Sequence, residues 1–191
     1  MHWQEQGAAG GYTASPRTLT FLLRGDQVLL LRGAPGKARW AGRLNGIGGR
    51  LAPKEGVLAG ALREVREETG YDLQDLALRG VVHSSPPNAA DPGVLLFVFL
   101  GAAPEEAAAA SAEGELAWYP VDALPTPDVL DDVPLLLPRL LAADQRGALV
   151  YGHYVPAADG TLHYAFTEAP APPGGRGTGA SASRHGCATM L

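Results

Sequence analysis

Residues 48–71 read GGRLAPKEGVLAGALREVREETGY and place three glutamates within the five residues EVREE. This stretch predicts a helix from about Gly56 to Thr69, because Gly70 is suited to end a helix in the left-handed conformation. At about 100° per residue, the glutamates fall within one arc of roughly 100°, and apolar residues fill the adjoining arc. One side of the helix is therefore expected to pack, and the other to present the carboxylates of Glu64, Glu67 and Glu68.

The carboxylate patch has two explanations. Like charges three or four residues apart destabilise a helix by a few tenths of a kcal/mol per pair. One explanation is an ordinary solvated surface on which Arg63 and Arg66 supply the counter-charges. The other is a divalent cation, since Mg²⁺ prefers a few carboxylate oxygens together with water and substrate phosphates. The helix alone leaves both explanations open.

The spacing around the helix is more specific. From Gly49 the chain reads G, five residues, E, seven residues, REV, one residue, EE, one residue, then GY. This pattern resembles the Nudix box, Gx5Ex7REUxEExGU with U aliphatic. Every fixed position matches, and the one departure is Tyr71 at the final aliphatic position. The order of predicted elements extends the resemblance over residues 17–167.

The Nudix resemblance implies an α+β fold, an α/β/α sandwich with a mixed β-sheet, and hydrolysis of a nucleoside diphosphate linked to another group. Local sequence patterns agree with a mixture of strands and helices. TLTFLL and QVLLLR predict a hairpin across Gly25-Asp26, and ALVYGHYV with TLHYAFTE predicts a closing hairpin. DDVPLLLPRLLAAD predicts a helix disturbed by Pro138, whereas periodicity leaves EEAAAASAEGE undecided between helix and loop.

The same resemblance assigns roles within the box. It implies that Mg²⁺, or Mn²⁺, is held by Glu64, Glu67 and Glu68, with the carbonyl of Gly48 as a further ligand. Arg63 and Glu55 are expected to orient those ligands, a role that metal sites usually require.

The general base differs among Nudix enzymes. Here SAEGELAWYP offers Glu113 and Glu115 just before a strand that contains Trp118. The resemblance in spacing to that aromatic residue favours Glu113 as a catalytic base. The alternative is an ordinary solvated carboxylate in a loop.

The segment RLNGIGGRL before the box resembles the WNGxGGK loop of the Nudix branch that hydrolyses oxidised purine nucleotides such as 8-oxo-dGTP. Leu44 replaces the tryptophan and Arg50 the lysine. The resemblance implies that Asn45 binds the base, which suits an amide able to donate and accept hydrogen bonds. The alternative is that Asn45-Gly46 is only a turn pair.

Further substrate-binding residues follow from the same branch. Asp131 and Asp132 match an Asp-Asp pair that faces the purine edge, although Asp132 before Pro134 is equally suited to cap a helix. Thr18 matches a pocket position on the first strand, where strand packing is the alternative. The branch also has a base-stacking tryptophan where this chain has Val129 or Leu130. Trp40 is a substitute candidate, and Lys37 a weaker one for phosphate.

The composition limits the remaining classes of function. The chain has 191 residues, 46% of them hydrophobic, enough for one core, and a net charge of −5, which argues against binding a nucleic-acid polymer. A single cysteine, Cys187, indicates a reducing compartment. The sequence contains no apolar stretch that predicts a signal peptide or a membrane span, so a cytoplasmic protein, monomeric or homodimeric and without membrane contact, is expected. Residues 1–16 are expected to form a flexible lead, 17–167 the Nudix domain and 168–191 a disordered tail.

The leading functional hypothesis is therefore a Mg²⁺-dependent pyrophosphohydrolase that cleaves nucleoside triphosphates, including oxidised purine ones, to monophosphate and pyrophosphate. This activity would serve nucleotide pool sanitation and so DNA repair. The first alternative is cleavage of other diphosphates, such as nucleoside diphosphates, ADP-ribose or dinucleoside polyphosphates. The second is a Nudix module that binds a nucleotide without turnover.

Overall fold

The computed structural model describes residues 11–34, 41–88, 90–108, 114–157, 159 and 161–169. Eight strands and two helices lie within these ranges. The strands are β1 (Ala14–Arg24), β2 (Gln27–Gly33), β3 (Leu44–Asn45), β4 (Ala77–Ser84), β5 (Gly93–Ala102), β6 (Gly114–Pro120), β7 (Leu149–Pro156) and β8 (Leu162–Ala169), and the helices are α1 (Val57–Thr69) and α2 (Val133–Gln145).

The strands form one mixed sheet. Its main path runs β3-β2-β1-β5-β4-β7-β8, and β6 pairs with β2. Strand β1 is parallel to β5 and β4 is parallel to β7, whereas the other pairs are antiparallel. Both predicted hairpins are confirmed, since Arg24 pairs with Gln27 at the end of β1–β2 and Pro156 with Leu162 at the end of β7–β8.

One helix covers each face of the sheet. On one face Leu136 and Leu140 of α2 are fully buried in a cluster with Val82 of β4. On the other face Ala61 and Val65 of α1 are fully buried in a second cluster. Burying such side chains stabilises the fold by roughly 1.5–3 kcal/mol for each large aliphatic group. The expected α/β/α sandwich is therefore confirmed.

The ends of the helices follow local sequence signals. Helix α1 begins one residue after Gly56 and ends at Thr69. The next residue, Gly70, has a φ of 75°, and its N–H donates to the carbonyl of Arg66. Helix α2 contains Pro138 and nevertheless continues to Gln145. The disturbance expected at Pro138 therefore does not end the helix.

The edges of the described domain differ slightly from those expected. Strand β1 begins at Ala14, within the expected lead, because Ala14 pairs with Gly93 of β5. Strand β8 extends to Ala169, within the expected tail, by pairing with Leu149. Residues 1–10 and 170–191 lie outside the described residues, so the domain division itself stays a prediction.

The sequence leaves the segment EEAAAASAEGE, residues 105–115, undecided between helix and loop. Its residues 105–108 contain no helix, and residues 109–113 lie outside the described residues. No helix in the described part of the chain is long and apolar enough to cross a membrane.

Candidate active site

The loop between β3 and α1 is joined to β1 by backbone hydrogen bonds. The N–H of Thr18 donates to the carbonyl of Gly49 at 2.9 Å, and the N–H of Ile47 donates to the carbonyl of Thr20 at 2.9 Å. A Cβ at Gly48, where φ is 152°, would clash with the Thr18 carbonyl. Glycine is therefore required at Gly48 for both the dihedral angle and the close approach.

Arg63 joins three glutamates of the box. Its Nε and Nη2 donate to the two carboxylate oxygens of Glu55 at 2.7 and 3.0 Å. Its Nη1 donates to Glu64 Oε1 and to Glu67 Oε2, each at 2.9 Å. Hydrogen bonds from Arg63, with one from the N–H of Ala52 as a smaller cause, lower the pKa of Glu55 to about 2. A two-point contact of this kind fixes the guanidinium in one orientation, as expected of a positioning residue.

The three carboxylates of α1 lie in different environments. Glu67 is exposed, Glu64 is half-buried, and Glu68 is only 3% exposed. The Glu68 carboxylate accepts the N–H of Gly48 at 3.0 Å. The Glu64 carboxylate lies against Gly49, where a Cβ would clash with it. Helix α1 therefore directs its two less exposed carboxylates at the two glycines that begin the box.

The donor set of this cluster fits a divalent cation. Carboxylate oxygens are ligands that Mg²⁺ and Mn²⁺ prefer. Burial raises the pKa of Glu64, an effect only partly offset by Arg63, and a bound cation would favour the ionised form of such a group.

The carboxylates nevertheless have other partners in the structure. Among the described residues, no three His, Cys, Asp or Glu side chains already converge as metal ligands. Arg63 binds Glu64 and Glu67, and Gly48 binds Glu68. A cation would thus have to take the carboxylates from these partners. The contact observed at Gly48 is through its N–H, so its carbonyl remains a predicted ligand.

A cavity of about 100 Å³ adjoins the carboxylate cluster. Its lining includes Thr18, Asn45, Gly48, Gly49 and Asp132. Three of the four predicted substrate-binding residues thus meet in one place, although they come from different parts of the chain. The cavity also includes the backbone of the two glycines that contact Glu64 and Glu68, so the two predicted parts of the site are adjacent.

The side chain of Asn45 takes part in its own turn. Its Oδ1 accepts the N–H of Gly46 at 2.9 Å, as in the turn interpretation of Asn45-Gly46. Its amide nitrogen makes no hydrogen bond to any residue that the structure describes. The turn therefore fixes the amide at the cavity and is compatible with base binding.

The segment that carries Asp131 and Asp132 is attached to β3. The N–H of Leu130 donates to the carbonyl of Leu44 at 2.9 Å. Arg43 donates to the carbonyl of Val129 and to Asp131 Oδ1, each at 2.6 Å. These contacts set the position of the two aspartates relative to Asn45, the residue that follows Leu44.

The two aspartates differ in environment. Asp131 is exposed and paired with Arg43. Asp132 is half-buried, and burial, with the charge of Asp131 as a smaller cause, raises its pKa. Asp132 precedes α2 but its side chain makes no capping hydrogen bond. The capping alternative is therefore not observed for this carboxylate.

A second cavity, of about 260 Å³, continues from Asp132. Its lining includes Asp131, Asp132, Leu130, Tyr154 and Tyr164. Leu130 thus lines the cavity where the related branch has tryptophan, whereas Val129 is buried in the core. Sequence reasoning missed both tyrosines and Arg43. Alternation in HYV and LHYAF predicts that each tyrosine lies on the same face of the sheet as the residues two positions away. It does not predict which of the two faces this is.

Three predicted groups are not placed by the structure. Glu113, Trp40 and Lys37 lie outside the described residues, so their roles stay predictions. Glu115 is an exposed residue of β6, opposite Arg32 on β2.

Comparisons with known proteins agree with the fold and the box. The NUDIX domain model matches residues 14–138. The human 8-oxo-dGDP phosphatase NUDT18 is 32% identical over 145 residues, which cover 65% of this chain and 42% of that protein. The chain thus spans less than half the length of this curated relative.

Solved structures are similar over most of the chain. The MutT protein of Bacillus halodurans has a TM-score of 0.65 and 25% identity, over 80% of this chain and 97% of that one. A MutT NUDIX hydrolase of Burkholderia pseudomallei has a TM-score of 0.57 and 24% identity, over 66% of this chain and 98% of that one, and supports the fold alone. Because the NUDIX domain model matches well over half of the chain, this chain belongs to the Nudix family.

Proposed function

We propose that this protein hydrolyses a phosphoric anhydride of a purine nucleotide, cleaving a nucleoside triphosphate to the monophosphate and pyrophosphate. One observation carries the proposal. The cavity that contains Asn45 and Asp132 shares the backbone of Gly48 and Gly49 with the carboxylate cluster of α1. A nucleotide with its base in the cavity therefore has its phosphates directed at the carboxylates.

The box residues have different roles in the proposed reaction. Glu64, Glu67 and Glu68 would hold Mg²⁺ or Mn²⁺, which neutralises phosphate charge and lowers the pKa of water. Arg63, fixed by Glu55, orients two of those carboxylates. The backbone hydrogen bonds between the box loop and β1 would hold the backbone of Gly48 and Gly49 beside the phosphates. Glu113 is the proposed acceptor of the proton from the attacking water.

The cavity residues select the base. Asn45 has an amide that can donate and accept, and Asp132 has a half-buried carboxyl that accepts when ionised and donates when protonated. Thr18 contributes a buried hydroxyl to the same cavity, and Asp131 supports the segment through Arg43. This mixture of donors and acceptors suits the edge of a guanine-like base, including its 8-oxo form, and supports a role in clearing oxidised nucleotides.

A second candidate is cleavage of nucleoside diphosphates. It is favoured by the relative named 8-oxo-dGDP phosphatase, which is 32% identical to this chain. Both reactions leave the nucleoside monophosphate, so they use the same base cavity. They differ in whether phosphate or pyrophosphate is released.

Product analysis separates these possibilities. The purified protein is incubated with Mg²⁺ and, in parallel, with 8-oxo-dGTP, 8-oxo-dGDP, dGTP, dCTP and ADP-ribose, and all products are separated and quantified. We expect pyrophosphate from 8-oxo-dGTP, loss of activity with a chelator, and faster turnover of the guanine nucleotides than of dCTP. Phosphate from 8-oxo-dGDP alone would favour the second candidate. Binding of these nucleotides without any turnover would contradict hydrolysis.

A further inference from the structure

The second cavity contains a buried tyrosine hydroxyl that makes no hydrogen bond of normal geometry but interacts with the carboxyl of Asp132. Tyr154 is only 5% exposed, and its hydroxyl makes no hydrogen bond of normal geometry within the described residues. Leaving such a group unpaired is unfavourable, and nearly all buried polar groups in proteins have partners. A hydroxyl at a cavity wall that lacks a normal hydrogen bond is therefore suited to a ligand.

The position of the Tyr154 ring is fixed by its neighbours. The ring makes edge-to-face contacts with Tyr164, at 4.8 Å between centroids, and with Phe166, at 6.0 Å. The carbonyl of Tyr154 accepts the N–H of Ser85 at 2.9 Å. Strands β4 and β8 both pair with β7 at this residue. The hydroxyl is thus held in place by packing, independently of any hydrogen bond of its own.

The hydroxyl lies beside Asp132. The negative charge of Asp132 adds to burial in raising the pKa of the Tyr154 phenol, so the O–H remains a donor at neutral pH. Asp132 lines both cavities, and on its other side the first cavity contains the Thr18 hydroxyl, which also makes no hydrogen bond of normal geometry. The Asp132 carboxyl thus has two buried hydroxyls near it, and it interacts with one of them, that of Tyr154.

We infer that Tyr154 is a specificity-determining residue whose hydroxyl donates a hydrogen bond to the nucleobase beside Asp132. This inference rests on the proposed nucleotide site and names the base chemistry that the site selects. A carboxylate accepts from an N–H, and the neighbouring phenol donates to a carbonyl oxygen. Together they fit a lactam edge, in which N–H adjoins C=O, as in guanine and 8-oxoguanine. Adenine lacks this edge.

Tyr154→Phe tests the inference because it removes one oxygen and keeps the packed ring. Binding of 8-oxo-dGMP, dGMP and dAMP is measured by calorimetry, without turnover. We expect wild-type protein to bind the two lactam nucleotides at least tenfold tighter than dAMP. Tyr154→Phe is expected to weaken their binding about five- to tenfold, as for loss of one hydrogen bond, and to leave dAMP unchanged.

Two control variants isolate the effect. Tyr151→Phe makes the same change on the same strand at an exposed ring. Thr20→Val removes another buried, unpaired hydroxyl, which lines neither cavity. Both are expected to bind 8-oxo-dGMP like the wild type. The melting temperature of Tyr154→Phe should stay close to that of the wild type, since phenylalanine keeps the ring contacts with Tyr164 and Phe166.

The outcomes separate this inference from the proposed hydrolysis. Equal binding of 8-oxo-dGMP by Tyr154→Phe and wild type would overturn it, as would a wild type that binds none of the monophosphates or prefers dAMP. If Tyr154→Phe shows the expected loss but no nucleotide is hydrolysed, the base site stands and the proposed activity fails. If hydrolysis is observed but Tyr154→Phe keeps the base preference, the proposed activity stands and the role of Tyr154 fails.

Discussion

The box segment and the base-facing cavities are built in opposite ways. The box and the glycine before it are one continuous stretch, residues 48–71, and the ion pairs and the Gly48–Glu68 hydrogen bond connect residues of that stretch to one another. The cavities are formed by β1, β3, β5, the turn before α2 and the β7–β8 hairpin, and they share only Gly48 and Gly49 with the stretch 48–71. The first region therefore depends on local helix and loop geometry, and the second on assembly of the whole sheet.

The two regions also differ in charge. The box gathers three glutamates around Arg63, whereas the first cavity combines Asp132 and Arg17 with an amide and a hydroxyl. Fixed charge suits a divalent cation and phosphates, and hydrogen-bonding groups suit a neutral base. If this division is correct, variants of the box should lower kcat, and variants of the cavities should change KM or base preference.

The largest effect is expected from Glu67→Gln. A lost metal ligand removes several kcal/mol of transition-state stabilisation, which lowers kcat roughly a thousandfold. Because Glu67 is exposed, the free energy of unfolding should change by no more than about 0.5 kcal/mol. Steady-state kinetics and denaturant unfolding measure the two quantities. Glu105→Gln, also exposed, is the control. A normal kcat in Glu67→Gln would remove Glu67 from the site.

Arg63→Lys is expected to have the next largest effect. Lysine keeps the charge but cannot make the two-point contact that Arg63 makes with Glu55. Loss of a group that orients metal ligands typically costs about 10–100-fold in activity or metal affinity. A Mg²⁺ titration of kcat should therefore shift to higher concentration. Arg66→Lys, on the same helix, should behave as the wild type. An unchanged Mg²⁺ titration in Arg63→Lys would argue against a positioning role.

The contrast between the regions explains what could be predicted from the sequence. The ends of α1 follow from Gly56 and Gly70, and the direction of its carboxylates follows from helical periodicity. These are local properties, so the sequence predicts them. The sandwich with a mixed sheet was also predicted, through the order of elements that the box resemblance implies.

The cavity could be predicted only in part. Asn45 and Asp132 were found through short motifs, but Tyr154 enters the site because β7 lies parallel to β4, a pairing between distant segments. No local pattern indicates that pairing or the face to which the ring points. The alternative role of Asp132 as a helix cap was a sound local prediction. It is not observed, because the half-buried carboxyl faces the cavities instead.

Asn45→Ala should change base preference more than rate. The variant removes an amide at the cavity and also its hydrogen bond to the Gly46 N–H. We expect the ratio of kcat/KM for 8-oxo-dGTP over dCTP to fall about tenfold, mainly through KM, because a lost base contact costs roughly 1.4 kcal/mol. Asn45→Asp keeps the oxygen that forms the turn and serves as the matched control for loop structure. Equal preference in wild type and Asn45→Ala would support the turn interpretation alone.

A smaller effect is expected from Arg43→Gln. The pair with Asp131 is partly exposed and so contributes at most about 1 kcal/mol, and the Val129 carbonyl loses one donor. We expect KM for 8-oxo-dGTP to rise about threefold, with kcat unchanged, because the aspartate segment is less well positioned. A double-mutant cycle with Asp131→Asn measures the coupling. Additive effects would show that the backbone contact, rather than the ion pair, positions the segment.

The smallest effect concerns stability and pH at Asp132. Burial raises the pKa of this carboxyl above its ordinary value of 3.8, so the folded state holds the proton more tightly than the unfolded state. The resulting stabilisation is complete below about pH 3.8 and is lost as the pH rises through the raised folded-state pKa. Asp132→Asn cannot ionise and does not lose this stabilisation. As the pH rises from 3.5 to 7, the free energy of unfolding of Asp132→Asn should therefore increase relative to that of the wild type. The difference between the two proteins, from denaturant unfolding at each pH, is the readout, because contributions common to both cancel. A difference that shrinks with rising pH would mean that the ionised carboxylate is stabilised in the folded protein, and the base would then meet a permanent acceptor at Asp132.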